Sequence, residues 1–112
     1  MARWVRDWPG ERPSLAVAHL RDFARAGVRR SLLTFRYALA DRIEEKLPRV
    51  QATVLVVRGE HDPIAPQRWA EEVTGLLPDG RLVVIPGGPH CVNYSTPEPF
   101  ARVVREFLRA TA

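Results

Sequence analysis

Two short stretches hold the residues best suited to chemistry, Gly59-Glu-His-Asp-Pro-Ile-Ala65 and Gly87-Gly-Pro-His-Cys-Val-Asn-Tyr-Ser95. Each follows a short apolar run rich in β-branched residues. Asp62 stands four residues past Arg58, and His90 stands four residues past Pro86. Glycine and proline flank both positions and hold the chain in fixed, unusual paths. A carboxylate beside an imidazole is the pair that proton-transfer hydrolysis requires. The acid keeps one ring nitrogen protonated, and the other can take a proton from a nucleophile or a water. Asp62 and His90 are therefore the candidate catalytic residues; the duller alternative for Asp62 is a loop cap.

The neighbouring groups have plainer readings. His61 adjoins Asp62, but adjacent residues in an extended loop point apart, so Glu60-His61-Asp62 makes a poor metal site. His19 falls on a helix as a surface or packing residue. Cys91, next to His90, reads as a small buried thiol rather than a nucleophile. Asn93-Tyr-Ser95 fits a glycosylation sequon, which carries no meaning in a cytoplasmic protein. Trp69 and Phe100 fall on apolar helix stripes and read as core or interface.

Positioning the acid and the imidazole requires particular elements around them. Residues 53–58 and 81–86 are short, apolar on both faces and β-branched, the pattern of buried parallel strands. Between them, Pro66 opens a helix reaching about Leu77, with Trp69, Val73, Leu76 and Leu77 on one face, and Pro78-Asp-Gly80 makes a turn. A final helix opens at Thr96-Pro97, with Phe100, Val103, Val104, Phe107 and Leu108 as its stripe. A right-handed β-α-β crossover puts both strand ends on one edge of the sheet, where ligands of such sheets bind. Upstream, Ser14 is expected to cap a helix that Gly27 stops. Val28, Leu32, Phe35, Leu39, Ile43 and Leu47 form a second helical stripe ended by Pro48. Asp41 and Glu44 are spaced as a capping box for a further short helix. Residues up to Pro13 read as an irregular lead-in.

Taken together, Leu55-Val-Val-Arg-Gly-Glu-His-Asp-Pro-Ile-Ala-Pro66, the helix at Trp69-Ala-Glu-Glu-Val, the second strand and Gly88-Pro-His90 resemble the closing segment of α/β-hydrolases. The acid and the histidine lie 28 residues apart, room for one helix, one strand and two loops. The resemblance implies a partial α/β-hydrolase fold, with helices followed by a β-α-β-α unit containing two parallel strands. Residues 1–46 look like the tail of that family's helical cap, and 47–112 like its C-terminal segment, together a single incomplete domain. By the same resemblance Asp62 is the triad acid and His90 the triad base.

The departures from the family pattern matter as much. Its nucleophile sits on a Gly-x-Ser-x-Gly elbow, and none occurs here. The serines are Ser14, Ser31 and Ser95, none between a strand and a helix with flanking glycines. Thr53 stands where the family often has proline. The expectation is a C-terminal piece that supplies acid and histidine for hydrolysis of esters or related acyl compounds. Alone, it should be inactive. The alternative is a non-catalytic module that binds a partner through an open sheet edge. The partners expected are a small-molecule ester-type substrate in the complete protein, an N-terminal half, or a second copy of the chain. No cofactor or metal is implied.

Composition narrows the remaining classes. The chain has 112 residues, 46% hydrophobic and 27% charged, which fits one soluble globular unit with a modest core. Its net charge of +4 comes from 17 basic residues interleaved with 13 acidic ones. That mixture argues against a nucleic-acid face, which would gather the basic groups. No apolar run nears bilayer-spanning length and the N-terminus lacks the apolar core of a secretory signal, so no membrane partner is expected. The single cysteine leaves no internal disulfide, and a reducing cytoplasm is the default location.

Overall fold

The computed structural model describes residues 10–112; most of the irregular lead-in, up to residue 9, lies outside them. Helix α1 spans Pro13–Ala26, α2 Val28–Ala40 and the single turn α3 Ile43–Lys46, which runs into a 3-10 turn at Leu47–Arg49. Strand β1, Val54–Gly59, leads through the acid loop to α4, Gln67–Leu76, and then to β2, Gly80–Ile85. A short helix α5, Val92–Ser95, precedes the long α6, Pro97–Thr111.

The two strands run parallel, with Val54 opposite Gly80 and Gly59 opposite Ile85. Their carboxyl ends therefore reach the same edge together, as the crossover argument requires. At the opposite edge, the Thr53 hydroxyl donates to the Asp79 carboxylate at 2.5 Å, and the Val54 N–H donates to the Asp79 carbonyl at 2.9 Å. The turn before β2 is thus tied to the start of β1. Helices α4 and α6 each pack against both strands. The core is small and centred on this unit: Leu47, Ala70, Leu77, Ile85 and Val92 are buried, and Leu15 of α1 joins them. Ile85, at 1% exposure, is the deepest.

Several local expectations need correction. Arg12, not Ser14, occupies the N-cap of α1, with Pro13 in the first turn. Proline is pre-set for that position because it has no N–H to leave unpaired. Ser14 lies inside the helix, and its Oγ accepts from the Tyr94 hydroxyl at 2.8 Å. Gly27 does end α1, at φ +78°, a conformation that a side chain disfavours. The Asp41 capping box does not form. Arg42 takes the N-cap of α3, and Asp41 pairs with Lys46 instead. Pro48 sits within the 3-10 turn rather than ending the helical stretch.

The larger correction concerns burial. Val54, Leu55, Val56 and Val57 are half-buried rather than fully enclosed, because a two-stranded sheet offers little cover. The apolar stripe of α2 is exposed outright. Leu32, Phe35 and Leu39 are 64%, 63% and 73% exposed, and Leu20 of α1 is 72% exposed. Helical periodicity correctly identified which residues share a face, but no element among the described residues covers that face. On α6, Phe100, Val103, Val104 and Phe107 are half-buried, while Leu108 at the end of the stripe is 58% exposed.

Candidate active site

The acid loop and the histidine loop meet because β1 and β2 end side by side. Three hydrogen bonds then lace them together. The Glu60 N–H donates to the Ile85 carbonyl at 3.0 Å, the His61 N–H to the Gly88 carbonyl at 2.9 Å, and the Gly87 N–H to the Glu60 carboxylate at 2.7 Å. The approach is so close that only glycine fits at the crossing. A Cβ on Gly59 would lie 2.1 Å from the Pro89 carbonyl oxygen and 2.3 Å from that of Gly88.

Within this frame Asp62 is a buried carboxylate, its side chain only 4% exposed. Oδ1 accepts from the backbone N–H groups of Ile64 at 2.7 Å and Ala65 at 3.0 Å. That closed turn is possible because Pro63 and its neighbours fold the chain back over the carboxylate. Oδ2 faces Nδ1 of His90 at 2.8 Å. A carboxylate can only accept, so the contact is a hydrogen bond in the tautomer that carries its proton on Nδ1. The His90 side chain is 30% exposed, so the imidazole reaches solvent while its acid partner does not. One oxygen fixes the carboxylate to the backbone and the other orients the ring.

The remaining candidates separate from this pair. The His61 side chain is 72% exposed, with Nε2 4.0 Å from Glu60, so it turns away from the buried Asp62. His19 is exposed on α1. Cys91 is half-buried rather than buried as expected. Trp69 and Phe100 are half-buried. No group of three His, Cys, Asp or Glu side chains with metal-binding geometry occurs among the described residues. No helix there is long and apolar enough to cross a membrane.

Two polar residues that bear on the site escape a reading by periodicity. Arg58, the last side chain of β1 before Gly59, spreads its guanidinium over the acid loop. Nε donates to the Ala65 carbonyl at 2.7 Å, Nη2 to the Asp62 carbonyl at 2.9 Å, and Nη1 to the Glu60 carbonyl at 3.3 Å and to Gln67 at 3.2 Å. A charge at the end of an otherwise apolar strand was the available signal. Glu11 carried none. From the lead-in it accepts the Cys91 N–H at 2.6 Å and also the Ser95 hydroxyl, joining the residues before α1 to the histidine loop.

A parallel β-α-β unit that presents a hydrogen-bonded aspartate and histidine at its carboxyl edge is the closing architecture of a hydrolase of the α/β type. The chain belongs to the alpha/beta hydrolase family, whose model matches residues 1–103. That match extends further upstream than the motifs around Asp62 and His90. Among relatives, the chain is 33% identical over 63 residues to the serine hydrolase BPHL of Homo sapiens, a match covering 56% of this chain and 22% of that protein. It is 43% identical over 49 residues to the pimeloyl-[acyl-carrier protein] methyl ester esterase of Edwardsiella ictaluri, covering 44% of this chain and 19% of that one. Among solved structures it is similar to a thermophilic esterase from Thermogutta terrifontis. There the TM-score is 0.58 and the identity 31%, over 61% of this chain and 25% of the esterase. The chain thus spans about a quarter or less of the length of these relatives.

Proposed function

We propose that this chain supplies the acid and the base of a serine-type α/β-hydrolase acting on esters or related acyl compounds, and that it has no turnover by itself. The observation that carries the reading is the 2.8 Å contact between Asp62 Oδ2 and His90 Nδ1, with Oδ1 held by two backbone N–H groups. In this reading Asp62 holds the imidazole with Nδ1 protonated, and Nε2 is directed to the nucleophile. His90 takes the proton of a serine hydroxyl as that oxygen bonds to the acyl carbon. It then returns the proton to the departing alkoxide, and the same exchange with water releases the acid product. The serine and the backbone donors for the oxyanion belong to a segment that this sequence does not contain. The names of the relatives, a serine hydrolase and two esterases, support both the nucleophile and the ester class.

The test is a graft. This chain replaces the matching quarter of the Thermogutta terrifontis esterase, and hydrolysis of a short activated ester is followed. The isolated chain should give no turnover above a control carrying both Asp62→Ala and His90→Ala. The graft should be active and should lose nearly all activity with His90→Ala and a large part with Asp62→Asn. His61→Ala, on an exposed side chain, should change little. A graft whose activity survives His90→Ala would overturn the assignment.

A further inference from the structure

The guanidinium of Arg58 has no part in the acid–base chemistry just described, yet it donates hydrogen bonds to three carbonyls of the acid loop and to the start of α4. Its donors reach the carbonyls of Glu60, Asp62 and Ala65 and the side chain of Gln67, the first residue of α4. Two of those residues set the carboxylate. Asp62 carries it, and Ala65 donates a backbone N–H to Oδ1 at 3.0 Å. A planar fork with five donors can bind both carbonyls from one side and fix their separation, which a single-point ammonium cannot do. The loop has no helix or strand between Glu60 and Pro66; besides Arg58, it is held by the backbone bonds of Glu60 and His61 to the histidine loop and by Oδ1 of Asp62.

From this geometry we propose that Arg58 is a positioning residue, clasping the acid loop so that Oδ2 of Asp62 meets Nδ1 of His90. The proposal rests on the reading of Asp62 and His90 as an acid–base pair. The hydrogen bonds of Arg58 go to the loop carbonyls and to Gln67, so its role here is to position rather than to react. It acts by denying the loop the small rotation that would carry the carboxylate away from the ring.

Nitrogen-15 shifts of the His90 ring test this in the full chain, because they distinguish the Nδ1–H from the Nε2–H tautomer and count each population. Wild type should hold mainly Nδ1–H, and Asp62→Asn should abolish that preference. If wild type lacks the preference, or Asp62→Asn keeps it, the acid–base reading itself fails. Given the preference, Arg58→Ala should lower the Nδ1–H to Nε2–H ratio about tenfold, the effect of weakening one charge-assisted hydrogen bond. Arg58→Lys should restore only part of it. Low-millimolar guanidinium ion should restore the ratio in Arg58→Ala but not in Asp62→Asn. An unchanged ratio in Arg58→Ala with β2 resonances intact would overturn the clasp. Should that variant not fold, an unchanged ratio in Arg58→Lys does the same, since lysine keeps the charge but not the fork.

Discussion

Replacing Asp62 by alanine and by asparagine separates what its carboxylate does for the fold from what it does for His90. Alanine strands two N–H donors, those of Ile64 and Ala65, under a residue only 6% exposed, and removes the acceptor of the His90 ring. Hydrogen bonds to a charged group contribute ~1.5–3 kcal/mol each, and stranding a buried donor costs a similar amount. The terms are not additive, because water enters beside the partly exposed imidazole and satisfies some of them. A net loss of about 3 kcal/mol is expected, and at ~4–8 °C per kcal/mol for a domain of this size the melting midpoint falls by roughly 15 °C. Asparagine keeps a carbonyl where Oδ1 stands, so both N–H groups stay bonded. It places an NH2 against Nδ1–H, and the ring must release that contact or change tautomer. Only one charge-assisted bond is lost, about 1.5 kcal/mol or ~8 °C. Thermal unfolding by circular dichroism at one fixed protein concentration measures both. Equal losses for the two variants, or no loss for alanine, would refute the reasoning that Oδ1 holds the loop while Oδ2 holds the ring.

Two further outcomes follow from the loop crossing and the open sheet. Gly59→Ala should destabilise the chain by about 2 kcal/mol in chemical denaturation and disperse the His90 ring signals. The added carbon would lie 2.1 Å from a backbone carbonyl that cannot swing aside, so the two loops must part. The outer edge of β1 and the exposed stripe of α2 should make the chain self-associate at micromolar concentration. Val56→Lys should reduce that association in analytical ultracentrifugation, because a charge blunts an edge strand; a monodisperse wild-type monomer would speak against it.

The parts of the fold legible in the sequence are those where one residue type has one use. The two apolar runs, the proline opening α6 and the glycine ending α1 constrain the backbone directly, so element order and type follow from them. Asp62 and His90 were legible because topology decides where loops after parallel strands must lie, whatever their contents. Contacts between polar groups distant in the chain obey no period. Ser14 satisfies the local rule for a cap but is bonded to Tyr94, 80 residues away. Asp41 and Glu44 have the spacing of a capping box, but Lys46 competes for the acid and wins. The helix α5 is too short to show a repeat. Exposure of the α2 stripe was equally hidden, since periodicity reports which residues share a face and not whether anything lies against it.

The distribution of contacts explains how a chain spanning about a quarter of the length of its relatives holds Asp62 against His90. Among the described residues, the hydrogen bonds of Asp62 go to Gly59, Ile64 and Ala65 in its own loop, to Arg58 and to His90. The lacing of the two loops uses only Glu60, His61, Ile85, Gly87 and Gly88. All of these residues lie in or beside one crossover unit, so their geometry follows from the pairing of β1 with β2 and needs no third strand. The nucleophile of the proposed reading has no such local origin, because its elbow would stand on another strand and present a hydroxyl across the sheet edge to His90. The Asp62–His90 contact is therefore a local property of this segment, whereas turnover in the proposed reading is a property of an assembled sheet. For that reason the tautomer of His90 is the readout for the isolated chain, and the graft is the readout for the proposed turnover.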